Sequence, residues 1–295
     1  MFIDLVTADP VTRQNYLQAA IGPRPICFAS TINSAGQVNL SPFSFFNMFS
    51  TTPPVIIFSP SRRLRNNTTK HTLHNVKEVK EVGVNMVDES MIEQVSLASC
   101  DYPDGVNEFL KSGFTQMPST RIAPPLVKES KVKMECVVRN IIALGENAGA
   151  GNLVICEVLC MHIEEDILNA DRQIDQQKLH HVARLGGNWY CRVDAGNLFE
   201  VEKPNVKIGI GVDALPLYIR SSRVLSGNHL GRLGNVTEIP VIDPGFEDAH
   251  LHQILQYFSM NPEDLEQEMQ RYAGKLLDAG KVNEAWQVLL SIGHP

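Results

Sequence analysis

Asn39-Leu40-Ser41-Pro42-Phe43-Ser44-Phe45-Phe46-Asn47 is the stretch of this 295-residue chain on which its fold is read. Small hydroxyls and amides stand among aromatics there, with neither a clean helical nor a clean strand period. Pro42 has no N–H to give to a ladder. The composition suits a core loop. It also suits the wall of a site for a planar, largely apolar ligand, with backbone groups for the ligand's polar edges and Phe for its faces. Upstream, Pro25 to Ile32 is rich in β-formers, Asn33-Ser34-Ala35-Gly36 is a turn, and Val38 to Leu40 resumes the pattern, which predicts a β-hairpin. Before it, Asp9 caps and Pro10 starts a helix carrying Tyr16, Leu17, Ala20 and Ile21, closed by Gly22-Pro23. Downstream, Pro53-Pro54 is a stop and Val55 to Phe58 a short buried strand.

Further along, Thr72 to Glu81 reads as a helix and Val82 to Val87 as a strand, and Asp88 caps a helix through Met91, Val95 and Ala98. Lys131 to Leu144 and Asn152 to Glu164 are strands around the loop Gly145 to Gly151. Met134, Cys136 and Val138 alternate, as do Val154, Cys156, Val158 and Cys160, predicting an antiparallel pair with one buried face. His181 to Val193 supplies a last strand. Strands and helices do not alternate as a dinucleotide fold requires. The Gly145–Gly151 loop lacks the G-x-G-x-x-G spacing and joins two strands, so that fingerprint is rejected. The expected class is mainly β with inserted helices, as a barrel or α+β architecture, over residues 1–195. Residues 196–295 form a C-terminal extension that turns helical from Asp248. Leu251, Ile254, Leu255 and Phe258 make one stripe; Leu265, Met269, Tyr272 and Leu276 make a second, after Asn261-Pro262; Val282 to Ile292 is a third helix past Gly280. The last two resemble one helical-repeat hairpin, which cannot bury its own face and is expected to dock on the barrel or on a partner.

Apolar residues are 43% and charged residues 20%, the balance of a globular chain. A net charge of −7 disfavours general nucleic-acid binding. No run is long and apolar enough for a membrane helix, and Met1 to Asp9 has no basic n-region. None of the six cysteines forms a C-x-x-C pair, and Cys156 and Cys160 read as small buried hydrophobes. A reducing, cytoplasmic setting is expected.

Chemistry concentrates in Ser59 to Thr72, which holds Arg62, Arg63, Arg65, Lys70 and His71 with the hydroxyls Ser61, Thr68, Thr69 and Thr72. It follows a strand and precedes a helix that Thr72 is positioned to cap. Free N–H groups and a positive dipole end beside Lys70 make a phosphate cradle without Walker glycines, or else a solvated basic loop. A third cluster, Ala183-Arg184-Leu185-Gly186-Gly187-Asn188-Trp189-Tyr190, lets backbone approach closely and supplies the amphipathic Tyr190. No metal site is expected: His71 and His74, His180 and His181, and His250 and His252 come without ligand spacing to Cys or carboxylate. No G-x-S-x-G elbow anchors a hydrolase triad.

These clusters, in this order, resemble the flavin-reductase-like FMN-binding split-barrel family, which includes flavoredoxins and the reductase partners of two-component monooxygenases. The matching stretches are Arg24-Pro25-Ile26 through Ser30-Thr31; Gly36, Asn39 and Ser41 through Asn47; Pro53-Pro54; Lys70-His71-Thr72; and Arg184-Leu185-Gly186-Gly187 to Tyr190. The resemblance implies an FMN-binding split β-barrel. Ser30, Thr31, Asn39, Ser41, Pro42, Phe43 and Ser44 would line the isoalloxazine and ribityl, Lys70 and Thr72 would hold the phosphate, Arg65 would be a further phosphate donor, and Tyr190 would close the site. His71 stands where the family usually has Asp, leaving a more basic phosphate site. The resemblance further implies a homodimer and an NADH- or NADPH-dependent flavin reductase whose chemistry belongs to the flavin, with no catalytic side chain assigned. The alternatives are a flavoredoxin-like electron-transfer protein with an electron-acceptor protein partner, or a non-enzymatic flavin-binding module that docks a partner through its C-terminal helices.

Overall fold

The structure, a computed structural model, describes residues 1–201, 203, 207–258 and 260–293. Helix α1 (Pro10–Ala20) begins where Asp9 accepts from the Val11 and Thr12 N–H groups, with Pro10 in the first turn. The expected hairpin follows as β1 (Cys27–Ile32) and β2 (Val38–Phe43), in antiparallel register. Asn33 Oδ1 accepts from Ala35 N and Gln37 N to close the turn, and Gly36 takes φ 77°, a conformation glycine adopts without Cβ strain. Pro42 lies inside β2, opposite Phe28, so the reading of a broken strand is corrected. The Leu40 N–H points away from β1, to Glu108, and Pro42, two residues on, shares that outward orientation. On an edge strand the missing N–H costs no ladder bond.

After β2 come β3 (Phe46–Thr51) and β4 (Pro54–Phe58), then α2 (His71–Glu78) and β5 (Glu81–Met86). A 3-10 turn, Glu89–Met91, whose N-cap Asp88 accepts from Ser90 N, leads into α3 (Ile92–Ala98) and α4 (Glu108–Ser112). The short pair β6 (Gln116–Met117) and β7 (Leu126–Val127) precedes the long strands β8 (Val132–Ala143) and β9 (Asn152–Ile163). The segment expected as one strand near His181 is two, β10 (Val182–Arg184) and β11 (Tyr190–Arg192), paired across Gly186-Gly187.

Seven strands form one antiparallel sheet in the order β2-β1-β5-β8-β9-β4-β3. Its two edge strands, β2 and β3, are consecutive in the chain, linked by Ser44-Phe45 alone. In a flat sheet those edges would stand about 29 Å apart. A three-residue step of chain reaches only about 11 Å. The sheet therefore curls until its edges meet, and with no ladder between β2 and β3 the barrel is split along that seam. Cys27, Ala29, Ile56, Phe58, Val82, Val84, Met134, Cys136, Val154 and Cys156 fill the interior, and α2 plugs it with Leu73 and Val76. The outer face of β1 and β2 is covered by Met91, Val95, Ala98, Phe109 and Phe114, so β1 is buried on both sides.

Two bulges explain where simple alternation fails. Cys136 faces Val158 while Glu135 faces Cys160, leaving Leu159 extra on β9, and Arg139 is extra on β8 between Val138 and Asn140. An inserted residue reverses which face the next positions occupy. Cys160 is thus half-buried opposite Glu135, and the expectation of a buried Cys160 is corrected, while Cys156 is in the core. Burial pushes the Cys156 thiol up to about 12.

By its internal contacts the chain divides into Met1–Phe199 and Glu200–Pro295. The second unit carries α5 (Leu217–Arg220), α6 (Gly227–Leu233), α7 (Ala249–Phe258), α8 (Pro262–Asp278) and α9 (Val282–Leu290). The hairpin of α8 and α9 buries Met269, Ala273, Leu277, Trp286 and Leu289 against Leu215, Ile219, Leu225, Leu233 and Leu251 of its own unit. The expectation that this face must be covered by the barrel or a partner is corrected: α7 and the segment from Leu215 to Leu233, which has little helical period in the sequence, supply the cover. Among the described residues no helix is long and apolar enough to cross a membrane.

Candidate functional site

The basic loop between β4 and α2 folds back so that Arg63, Lys70, His71 and Thr72 line a narrow slot with Asn39 and Ser41 of β2. Lys70, not Thr72, is the N-cap of α2, and its side chain makes no cap bond. The first turn of a helix carries a partial positive charge, and His71 and Thr72 of that turn in α2 line the slot, while Leu73 N–H donates to Lys70 O (3.0 Å). Thr72 Oγ1 instead donates to Asn39 Oδ1 (2.7 Å), and Asn39 Nδ2 donates to Glu108 Oε1 (2.9 Å). The Leu40 N–H donates to Glu108 Oε2 (2.9 Å). This chain fixes Asn39 and Thr72 at the base of the slot. Burial pushes the Glu108 carboxyl up from its ordinary range, against those same donors.

A carboxylate stands among the cations. Asp101, just beyond α3, accepts from Arg63 Nε (3.0 Å) and Lys70 Nζ (3.5 Å), and pairs with Arg65. Partial burial raises its pKa, but the Arg63 hydrogen bond and the charges of Lys70, Arg63 and Arg65 outweigh that and hold it below the usual carboxylate range. Next along the same two segments, Ile26, Pro42, Ser44, Val95, Ser99, Arg184 and Tyr190 line a pocket of about 190 Å³. The Arg184 guanidinium lies 4.4 Å from the Tyr190 ring centroid. The two cavities use neighbouring residues of β2 and of the position just past it (Asn39 and Ser41, then Pro42 and Ser44) and of the end of α3, so they adjoin along the edge of β2 and together make a groove. Its chemistry is graded, cationic at the α2 end and aromatic at the Tyr190 end.

The structure brings together Asn39, Ser41, Pro42, Ser44, Lys70, His71, Thr72 and Tyr190 of the residues singled out by sequence. It places the others elsewhere. Ser30 and Thr31 are wholly buried: Ser30 Oγ donates to Gly83 O (3.3 Å) and Pro125 O (2.5 Å), and Thr31 Oγ1 accepts from Asn75 Nδ2 (3.1 Å). Phe43 points into the barrel, its ring 5.4 Å from that of Phe58. None of the three lines the groove: Ser30, level with Leu40 on the outer face, is covered by Pro125, while Thr31 and Phe43 share the inner face with Asn39 and Ser41 but are taken up by Asn75 and Phe58. Arg65 is exposed and pairs with Asp101, whereas Arg63 lines the slot. Sequence reasoning missed Asp101, Tyr102, Glu108 and Ser99, which come from the α3–α4 region. The only local signal was the polar turn Asp101 to Asp104. A metal was not expected, yet Glu135, Cys160 and His162 hold their donor atoms within 4.8 Å of one another. Glu135 already accepts from Thr120 N, Arg121 N and His162 Nε2.

A family model described as "Flavin reductase like domain" matches residues 21–178. An uncharacterized protein of Halalkalibacterium halodurans is 35% identical over 66% of this chain and 93% of its own length. Among solved structures, nitrilotriacetate monooxygenase component B from Bacillus cereus is 29% identical, with a TM-score of 0.63 over 68% of this chain and 98% of that one. The 2-nitrobenzoate 2-nitroreductase of Pseudomonas fluorescens is 26% identical, with a TM-score of 0.63 over 72% of this chain and 100% of that one. The split seven-stranded barrel, the groove on its free edge and a family match across more than half the residues agree, and the chain belongs to the flavin reductase like family.

Proposed function

We propose that the groove binds FMN and that the protein is an NAD(P)H-dependent flavin oxidoreductase. The observation that carries this reading is the grading of the groove: a cationic slot at a helix N-terminus runs into a pocket bordered by Tyr190 and Arg184. Arg63, Lys70 and the first turn of α2 would hold the phosphate, as charged donors and helix N-termini do elsewhere. Asn39 and Ser41 would meet the ribityl chain, and the Pro42–Ser44 backbone with Tyr190 would border the ring. The slot fits an anion, since Asp101 already sets a carboxylate among Arg63, Arg65 and Lys70; the phosphate takes that carboxylate's place. When bound, the flavin supplies the two-electron acceptor for a hydride from NADH or NADPH. The chain's own residues position the ring and screen it from water, with no acid–base pair assigned.

A homodimer belongs to the same proposal. Phe45, Met48 and Phe49 are exposed on and beside the edge strand β3, where a second copy would cover them. A cytoplasmic setting is consistent with the six free cysteines.

The test is the visible absorbance of the purified protein with and without FMN, together with quenching of FMN fluorescence. Flavin bands or quenching at micromolar protein are expected. A colourless protein that ignores FMN overturns the proposal. Steady-state oxidation of NADH and NADPH with added FMN then separates a reductase from an electron-transfer protein, which would bind flavin and leave both nicotinamides untouched.

A further inference from the structure

The bulge at Leu159 re-aims the end of β9. Cys156 and Val158 face the barrel interior, and simple alternation would send Cys160 and His162 the same way. The extra residue reverses the pattern. Cys160 comes to lie opposite Glu135 of β8, whose neighbours Met134 and Cys136 fill the core, and His162, two residues on, shares that outward face. Bulges recur where a side chain is re-aimed at a site. Here the re-aiming gathers a thiol, an imidazole and a carboxylate: one donor atom each of Cys160, His162 and Glu135 lies within 4.8 Å of the other two. None of the three lines the groove along β2.

The cluster has an anchored end and an open end. Glu135 is fully buried; its Oε1 accepts from Thr120 N (2.8 Å) and its Oε2 from Arg121 N (2.5 Å). These two backbone donors fix the carboxylate in place and favour its charged form. Cys160 and His162 are half-buried, so the three donors are reached from their side. His162 Nε2 meets Glu135 Oε1 at 2.7 Å, the pair sharing one hydrogen. Two neighbouring cations bond outside the cluster. Lys133, opposite His162, donates to Ser130 O (2.6 Å) and Glu164 Oε1 (2.7 Å), and Arg121 Nη1 donates to Leu159 O (3.4 Å).

We propose that Glu135, Cys160 and His162 form a three-ligand site for a divalent cation of the zinc class, with a fourth position open to water on the exposed side. Binding releases the Cys160 thiol proton, and the ion replaces the hydrogen between Glu135 and His162, whose ring then carries its proton on Nδ1. Ligand atoms around tetrahedral zinc stand about 3.3–3.8 Å apart, inside the spread of these three donors. The half-buried His162 ring need move outward by only about half an ångström to reach that spacing from Glu135. A thiolate and an imidazole select zinc over Mg2+ or Ca2+, which take oxygen ligands. Bound there, the ion would clip β8 to β9 and, through Glu135, to the turn at Thr120 and Arg121. Its occupancy does not require a flavin.

The experiment is a Co2+ titration of the full chain, untagged, reduced and stripped with chelator, recorded as difference spectra. Thiolate-to-cobalt charge-transfer absorption and the visible bands of tetrahedral cobalt are expected, saturating at one ion per chain, displaced by Zn2+ and untouched by excess Mg2+. Cys160→Ser and His162→Gln each keep a hydrogen-bond donor beside Glu135, and circular dichroism checks their folding. Cys160→Ser should abolish the charge-transfer band, and His162→Gln should weaken cobalt binding more than about tenfold. Cys100→Ser and Cys191→Ser, which remove the other thiols that are not buried, should leave the titration unchanged. Absence of charge-transfer absorption at millimolar Co2+, a titration indifferent to either ligand variant, or its loss in Cys100→Ser or Cys191→Ser would each overturn the proposal and leave the cluster as a hydrogen-bonded anchor for the Thr120 turn.

Discussion

Lys70 shares Asp101 with Arg63 and Arg65, so its charge is committed before any ligand arrives. Lys70→Ala should weaken FMN binding by about 1.5–3 kcal/mol, the worth of a charge-assisted contact, read by flavin fluorescence quenching. Asp101→Asn should act in the opposite direction and tighten FMN, because a neutral amide competes less with the phosphate for the same cations. The variant also has a pH signature. The Asp101 pKa is below its ordinary value of 3.8 in the fold, so its ion pairs contribute stability above that value, and the contribution is lost as pH falls through the lower folded-state pKa. The urea midpoint of the parent chain should therefore fall in acid below about pH 4 more steeply than that of Asp101→Asn. At this scale Asn39 was legible within its own short motif, and Lys70 and Thr72 within another. Glu108 was not: it meets Asn39 across 69 residues of sequence, and nothing in either neighbourhood announces the other.

At the scale of elements, strand existence and period were readable for β1, β2, β8 and β9. The bulges at Leu159 and Arg139 were not, because an extra residue is set by what the neighbouring strand offers. Gly83 shows a similar dependence. In the middle of β5 it looks like a weak strand residue, yet a Cβ there would collide with Ser30 Oγ and come within 2.8 Å of Leu126 Cδ2. Ser30 is thus a packing residue of the barrel wall, pressed against a strand that has no side chain to oppose it. Gly83→Ala should cost about 1–3 kcal/mol by overpacking, measured as a lower urea midpoint. If the midpoint is unchanged, Ser30 and the β7 region adjust more freely than their burial suggests.

For the whole molecule, the seam between β2 and β3 follows from chain length and strand order together, and it leaves β2 with the free edge along which the groove runs. All residues lining that groove lie in Met1–Phe199. Trp286 is the largest fully buried side chain of the other unit, packed among α5 to α9. Trp286→Ala should cost about 3–5 kcal/mol there, detectable as early loss of helical signal on heating. FMN quenching should be retained, and parallel loss of both would tie flavin binding to the integrity of the C-terminal helices.

Composition, period and turn chemistry by themselves determined that this chain makes short strands with inserted helices, a basic loop before a helix, and a helical tail, because those features depend on neighbours within a few residues. The tertiary structure alone decided which side chains meet at the groove. It turned Thr31 and Phe43 inward, covered Ser30 on the outer face with Pro125, and brought Asp101 and Glu108 to the site. The reason is physical: the side on which a strand residue emerges, and what it then touches, depends on pairing register and sheet closure, which involve residues far apart in the chain.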